Sequence, residues 1–193
     1  MRKISEKILF FLICIIFCGC RSPLEKIVSI PLTTIDNKEI TLSGVADNKA
    51  MVITFLSPEC PLSESYTKTL NEIQLEFEEK GVEFINIFPG TFYSTAKISS
   101  FISSYQLQQK NLLDQKLLMV KYLHASTTPE TFVLNNKGEV EYSGAIDNWA
   151  IALGEKRQII TEFYLKDALN ALLQEKEVVT KKTAAVGCFI ETE

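Results

Sequence analysis

Cys60 stands where a thiol gains reactivity: in Ser57-Pro58-Glu59-Cys60-Pro61-Leu62-Ser63, directly after an apolar run and directly before a helical stripe. A thiol at a helix N-terminus faces unpaired backbone N–H groups and the positive end of the helix dipole. Both stabilise thiolate, the nucleophilic form, and can bring a cysteine pKa from about 8.5 into the range of about 3.5 to 7.5. Pro61 suits the first helical turn, because its missing N–H would be unpaired there anyway. Glu59 and Glu64 oppose the effect, since nearby carboxylates raise a thiol's pKa, so moderate reactivity is expected. The competing assignment is a small, inert, buried cysteine.

The other cysteines are sorted by the N-terminus. Arg2, Lys3 and Lys7 precede the apolar run Ile8 to Cys18, which stops at Gly19-Cys20. Its eleven residues fall short of the roughly 20 that a spanning helix needs, but suit the apolar centre of a signal peptide. Phe17-Cys18-Gly19-Cys20 is similar to the bacterial lipobox, in which the final cysteine receives lipid. Residues 1–19 are therefore predicted to be a lipoprotein signal peptide and residues 20–26 a tether lipidated at Cys20. That places the folded part in the bacterial cell envelope, extracytoplasmic and lipid-anchored to a membrane. A soluble secreted form and a retained anchor are the alternatives, because Phe17 stands where leucine is usual. After processing, Cys60 and Cys188 are the two thiols left, and an oxidising exported compartment allows them to pair.

Other chemistries find little support. The 20 basic and 24 acidic side chains give a net charge of −4, so no basic surface points to nucleic acid. His124 is the only histidine, which excludes a His-rich metal site, and no Cys-x-x-Cys-His is present to attach haem; no cofactor or metal is expected. His124 is expected to cap or flank a helix end. Asp147 and Trp149, in Gly144-Ala145-Ile146-Asp147-Asn148-Trp149, form a polar and aromatic loop that either lines a cleft or is ordinary surface.

The elements that must position Cys60 follow from periodicity. Ile27 to Ile35 and Glu39 to Leu42 flank Asp36-Asn37-Lys38 as two short strands of an N-terminal hairpin. Ala50 to Leu56 is apolar almost without break, as in a strand buried on both faces, and is expected to be central. Tyr66, Leu70, Ile73 and Phe77 form a helical stripe that Gly81 ends, and Val82 to Phe88 returns as a strand parallel to the first. Residues 91–126 form an insert with two predicted helices, one around Ile98, Phe101, Ile102 and Tyr105, the other around Leu117 to Leu123. Thr131 to Leu134 and Glu139 to Tyr142 make a hairpin whose turn contains Gly138. Ile159, Ile160, Phe163, Leu169, Leu172 and Leu173 give a last helical face, and residues 175–193 a C-terminal tail. The order is that of an α/β sheet flanked by helices.

Strand, Cys-Pro-x-Ser, helix, and then Thr128-Pro129 before a late hairpin together resemble the thioredoxin-like superfamily, with Phe55 at its strand phenylalanine. The resemblance covers about residues 27–174, and implies that Pro129 is cis and packs beside Cys60. The insert and Ser-Pro-Glu-Cys-Pro-Leu-Ser are similar to the redoxin branch of alkyl hydroperoxide reductases and thiol-specific antioxidants. The chain also looks like a bacterial lipoprotein subgroup with Cys-Pro-x-Ser, Phe-Pro-Gly (Phe88 to Gly90) and a terminal Ala-Val-Gly-Cys (Ala185 to Cys188). Ser57, Pro61, Ser63, Thr128 and Pro129 are then the supporting residues around Cys60.

Departures limit the inheritance. Ser63 replaces the second cysteine of Cys-x-x-Cys, so local dithiol exchange is excluded. Peroxiredoxins carry proline seven places and threonine or serine three places before the reactive cysteine; here these are Ile53 and Ser57, and their arginine has no secure counterpart in Arg157. The chain is expected to be a membrane-anchored thiol-disulfide oxidoreductase or redoxin with Cys60 as nucleophile. Its partners would be an exported thiol reductant or a disulfide-bearing protein, with peroxide as the other substrate class. Fourteen residues from Gln174 to Cys188 can span about 45 Å at roughly 3.3 Å each, so Cys188 can reach Cys60. It then serves as resolving thiol, as half of a structural disulfide in a non-enzymatic lipoprotein, or as an unpaired thiol packed with Phe189 and Ile190.

Overall fold

The first element of the computed structural model, which describes residues 21–43 and 47–191, grows from a capping box. Ser22 Oγ accepts from the Glu25 N–H at 3.2 Å, the Glu25 carboxylate accepts from the Ser22 N–H at 2.9 Å, and Pro23 takes the first turn, so Pro23–Val28 is a helix, α1. The strand expected from Ile27 therefore begins only at Leu32. Leu32–Thr34 (β1) and Glu39–Ile40 (β2) form the expected N-terminal hairpin, with Leu32 opposite Ile40 and Asn37 at φ 63° in the turn. The signal peptide and Cys20 lie outside the described residues.

Ala50–Phe55 (β3) is buried at every residue. Ala50 and Val52 face one core, while Met51, Ile53 and Phe55 face the other. Pro61–Phe77 (α2) follows and lays Tyr66, Leu70, Ile73 and Phe77 on the first of these cores. A 3₁₀ turn, Glu78–Lys80, ends at Gly81 (φ 88°), a left-handed position that favours glycine. Val82–Pro89 (β4) then pairs parallel to β3 over six residues, Ala50 with Val82 to Phe55 with Ile87.

The insert holds its two expected helices, Thr95–Ser104 (α3) and Leu118–Leu123 (α4), but between them lies a strand that periodicity did not indicate, Lys110–Asp114 (β5). It extends the sheet as a parallel neighbour of β4 and carries β1 on its other side. Asp114, at the end of β5, is buried and accepts from the Leu118 and Val120 N–H groups at 2.8 and 2.9 Å, which fixes the start of α4.

Thr127–Thr128 (β6) leads into Glu130–Asn135 (β7), antiparallel to β3, and the Gly138 turn (φ 74°) returns as Val140–Gly144 (β8). The main sheet thus runs β2-β1-β5-β4-β3-β7-β8. Ala150–Ala152 (β9) and Glu155–Lys156 (β10) form a small hairpin absent from the expectations. The last helix, Tyr164–Leu173 (α5), starts later than the apolar pattern suggested. Ile159 is 75% exposed, and Leu165, Ala168 and Leu169 make the buried face. Helices cover both faces: α2, α3 and α5 on one core, α1 and α4 on the other. No helix among the described residues is long and apolar enough to cross a membrane.

The C-terminal segment does not hang free. Val178 is buried, the Ser143 N–H donates to the Lys181 carbonyl and the Thr183 N–H to the Ser143 carbonyl, both at 3.0 Å, so the tail runs beside β8. Its end, Cys188–Phe189 (β11), pairs antiparallel with β6.

Candidate active site

The sheet order reverses around β3: the chain first runs outward through β4 and β5, then returns to β7 on the opposite side. The carboxyl end of such a strand opens into a crevice. Ser57 to Cys60 turn there, and Cys60 is the N-cap of α2, with φ −83° and ψ 113° and Pro61 next to it. Helix α2 begins at Pro61, directly after the cysteine. Ser63 is fully buried, and its hydroxyl accepts from the Ser57 N–H at 3.2 Å, tying the turn to the helix it precedes.

The Thr128–Pro129 peptide bond is cis, as the resemblance implied, and Thr128 stands against Cys60, its carbonyl oxygen 2.9 Å from Cys60 Sγ. Glu130 holds this approach in place, since its buried carboxylate accepts from the Ser126 and Thr127 N–H groups at 2.8 and 3.2 Å. Cys188 arrives from the tail. It sits opposite Thr128 in the β11–β6 register, Phe189 sits opposite Thr127, and the Ile190 N–H donates to the Ser126 carbonyl at 2.9 Å. Both cysteines are free thiols, and each shifts the titration of the other. Ser57, Cys60, Pro61, Ser63, Thr128, Pro129 and Cys188 are thus gathered in one place.

Electrostatics divide the two thiols. Burial pushes the Cys60 thiol up, but hydrogen bonds from the Cys188 side chain, the Ser63 N–H, the Cys188 N–H and the Ser63 hydroxyl outweigh it, and the net direction is down. In its neutral form the Cys60 thiol donates to the Thr128 carbonyl oxygen. Cys188 moves the other way: burial, then the hydrogen bond to Cys60, push it up to about 11. As the dithiol titrates, the first proton therefore leaves below the ordinary cysteine range and the second above it.

The carboxylates expected to oppose activation are engaged elsewhere. Glu59 pairs with Lys97, and Glu64 accepts from the Tyr105 hydroxyl; neither is among the groups acting on the Cys60 thiol. Asp147 is a buried strut, accepting from the Tyr66 hydroxyl at 2.7 Å and the Trp149 N–H at 2.9 Å, and Trp149 packs edge-on against Tyr66. His124 caps the end of α4 at φ 56°, and Arg157 belongs to the exposed β9–β10 hairpin, where its N–H donates to the Trp149 carbonyl. No group of three His, Cys, Asp or Glu side chains among the described residues could hold a metal ion.

Beside the cysteines lies a cleft of about 650 Å³, bounded by Ser57, Glu59, Phe92, Tyr93, Thr128, Cys188 and Phe189. Phe92 and Phe189 are 73% and 88% exposed at its rim. Three residues that build the site drew no attention in the sequence. Glu130 anchors the loop before the cis bond. Thr183 pins the tail through its hydroxyl, which meets the Tyr142 hydroxyl at 2.6 Å and the Ala145 N–H at 3.0 Å. Gly187 lets the tail touch the sheet, for a Cβ there would overlap the Thr128 carbonyl. Only Gly187, inside Ala-Val-Gly-Cys, carried a signal, and that signal did not say what the glycine must approach.

Comparison with known proteins agrees with this layout. Residues 23–143 match the AhpC/TSA family. Among solved structures, the chain is similar to a hypothetical protein of Sinorhizobium meliloti 1021, with a TM-score of 0.73 and 22% identity over 83% of this chain and 88% of that one. An uncharacterized conserved protein of Geobacillus kaustophilus gives 0.74 and 22% over 85% and 88%. A secreted Mycobacterium tuberculosis disulfide oxidoreductase homologous to E. coli DsbE gives 0.52 and 19% over 60% and 82%. These likenesses establish the thioredoxin-like fold. No curated protein matches the sequence.

Proposed function

The chain belongs to the AhpC/TSA family, and from that premise we propose that it is a thiol-disulfide oxidoreductase in which Cys60 is the nucleophile and Cys188 the resolving thiol. One observation carries the reading: the tail sets Cys188 opposite Thr128, whose carbonyl oxygen lies 2.9 Å from Cys60 Sγ, so two free thiols 128 residues apart in the chain are brought to one cis proline. Cys60 is 1% exposed while the tail is docked, so the tail first lifts from β6. Cys60 thiolate then attacks a substrate disulfide, one substrate sulfur leaves as thiolate, and a mixed disulfide forms on Cys60. Cys188, deprotonated as it reacts, attacks the Cys60 sulfur, releases the second substrate thiolate and leaves a Cys60–Cys188 disulfide. The substrate is reduced by two electrons and the protein oxidised by two.

Disulfide exchange is favoured over peroxide reduction. Rapid peroxide reduction needs donors aimed at the developing oxyanion, and the constellation that resemblance would supply is half missing, with Ile53 for the proline and no secure counterpart of the arginine in the exposed Arg157. We further propose that the domain works outside the cytoplasm, tethered to a membrane of the bacterial cell envelope by lipid on Cys20, and that an exported thiol reductant restores it. The basis is the charged, apolar and Gly-Cys sequence of residues 1–20.

The test is reduction of insulin disulfides with dithiothreitol as the reductant, comparing the parent with Cys60→Ser. Activity at background in the variant is expected; activity equal to the parent would dismiss the reading. The second reading, a non-enzymatic lipoprotein whose Cys60–Cys188 disulfide is a brace, is favoured by a different observation, the hydrogen bonding of the tail from Lys181 to Ile190. A brace predicts a reduction potential below about −300 mV, turnover a higher one.

A further inference from the structure

Helix α1 ends the freedom of the chain almost as soon as it leaves Cys20. Ser22 is already fixed: its N–H donates to the Glu25 carboxylate at 2.9 Å, its hydroxyl accepts from the Glu25 N–H at 3.2 Å, and its carbonyl accepts from the Lys26 N–H at 3.0 Å. The helix is in turn fastened to the domain. Ile27 is fully buried, Leu24 and Val28 pack on the same core, and the Tyr122 hydroxyl donates to the Pro23 carbonyl at 3.1 Å. The Leu24 backbone runs so close to the β7–β8 turn that a Cβ on Gly138 would come within 2.8 Å of it. Between Cys20 and this anchored start stands Arg21 alone. At no more than about 3.6 Å per residue, Ser22 lies within about 7 Å of Cys20, and Leu24 within about 14 Å.

Strand register tells which end of the molecule this is. Ala50, the first residue of β3, pairs with Asn135, and Phe55, the last, pairs with Glu130. The Gly138 turn therefore lies beyond the sheet edge where β3 begins, and Cys60 beyond the edge where β3 ends. The strand between them spans roughly 17 Å at about 3.4 Å per step. The start of α1 belongs to the first edge, while the thiols and the 650 Å³ cleft belong to the second.

We propose that the edge formed by the start of α1 and the β7–β8 turn is the membrane-facing surface, apposed to lipid headgroups, and that the thiol cleft opens on the far side, away from the bilayer. The proposal rests on the lipidation of Cys20 and adds the orientation that so short a leash imposes. A long tether would let any face meet the lipid; here the lipid-bearing residue is held to one edge. The consequence falls on the partner. Its thiol arrives from the aqueous side, on a soluble protein or on a domain that projects at least about 17 Å from the headgroups, and not from a thiol embedded in the bilayer.

The experiment places a nitroxide spin label at each edge. The chain is expressed in a bacterium with its N-terminal segment intact, in a Cys60→Ser, Cys188→Ser background, and carries either Lys137→Cys in the β7–β8 turn or Phe92→Cys at the rim of the cleft. Both positions are exposed. Protein purified from membranes is reconstituted into phosphatidylcholine vesicles containing a nickel-chelating lipid, and the relaxation that nickel causes is read by power saturation. The expected enhancement is several-fold greater at position 137 than at position 92, where it stays at the level of nickel-free vesicles. Equal enhancement at both, or a greater one at 92, would overturn the proposal while leaving lipidation and the redox couple standing. A Cys20 peptide without acyl mass, in protein that fails to float with the vesicles, would remove lipidation and the proposal together.

Discussion

Replacing Gly187 by alanine should uncover Cys60. A Cβ at Gly187 would overlap the Thr128 carbonyl, so the docked tail must shift or strain. Overpacking of this kind costs about 1–3 kcal/mol. The opposing stabilisation is modest, since β11 adds a short ladder of backbone bonds to β6, each worth about 1 kcal/mol. Cys60 is 1% exposed while the tail is docked, so a thiol reagent reaches it through the undocked population. Lowering the docking free energy by about 1–3 kcal/mol multiplies that population about 5- to 150-fold, at 1.36 kcal/mol per decade. The assay is maleimide labelling of reduced protein in a Cys188→Ser background, with the Cys60 peptide followed by mass spectrometry, with and without Gly187→Ala. The reasoning predicts a rate increase in that range at unchanged circular dichroism. An unchanged rate would refute it, because the tail would then not be what covers the thiol.

Other outcomes follow from the same geometry. Alkylation of Cys60 against pH should show a midpoint below the ordinary thiol range, and Cys188→Ala should move it upward by removing the side-chain donor; a midpoint that does not move would contradict the hydrogen bond. In the reduced protein, Cys188 contributes stability below its ordinary pKa of 9.0 that is lost as pH climbs through about 11, whereas the Cys60 contribution is present above its ordinary value and lost as pH falls through its lowered one. Urea denaturation of parent and Cys188→Ala between pH 8 and about 11 should converge accordingly. Thr183→Val removes the hydroxyl that meets Tyr142 and the Ala145 N–H, and should cost about 1–3 kcal/mol in urea; no loss would mean the tail is not anchored there. Glu130→Ala strips two backbone N–H groups of a charged acceptor and should cost about 1.5–3 kcal/mol, with Glu130→Gln recovering part of it.

What was legible in the sequence was what each segment decides for itself. Ala50 to Phe55 is apolar on both of its faces and so had to be an inner strand, and Tyr66, Leu70, Ile73 and Phe77 had to be one helix face. β5 escaped notice because Lys110 and Asn111 face partly outward and only Leu112 and Leu113 supply apolar burial; its strand character comes from β4 and β1, which are distant in sequence. α1 was hidden in the opposite way. Six residues give no period, although the Ser22-Pro23-Leu24-Glu25 capping box was there to see.

The site divides along the same line. Cys60 and Pro61 were readable from a local motif, the cis Pro129 was implied by the resemblance, and cysteine arithmetic left Cys188 as a companion. Chain reach alone could not say where Cys188 goes. That is decided by tertiary contacts from Ser143 to Lys181 and Thr183, and from Thr128 to Gly187 and Cys188, each between residues ordinary in isolation. The opposition expected from Glu59 and Glu64 failed for the same reason: Lys97 and Tyr105, which engage them, lie on or next to α3, far along the chain.

The central claim is that Cys60 and Cys188 form a couple that turns over, and its most direct test is a redox titration in glutathione buffers, acid-trapped, alkylated and read at the two cysteine peptides. The account predicts one two-electron transition in which both thiols disappear together, with a potential above about −300 mV. Independent titration of the two cysteines, or a linked pair that stays oxidised below that potential, would contradict it.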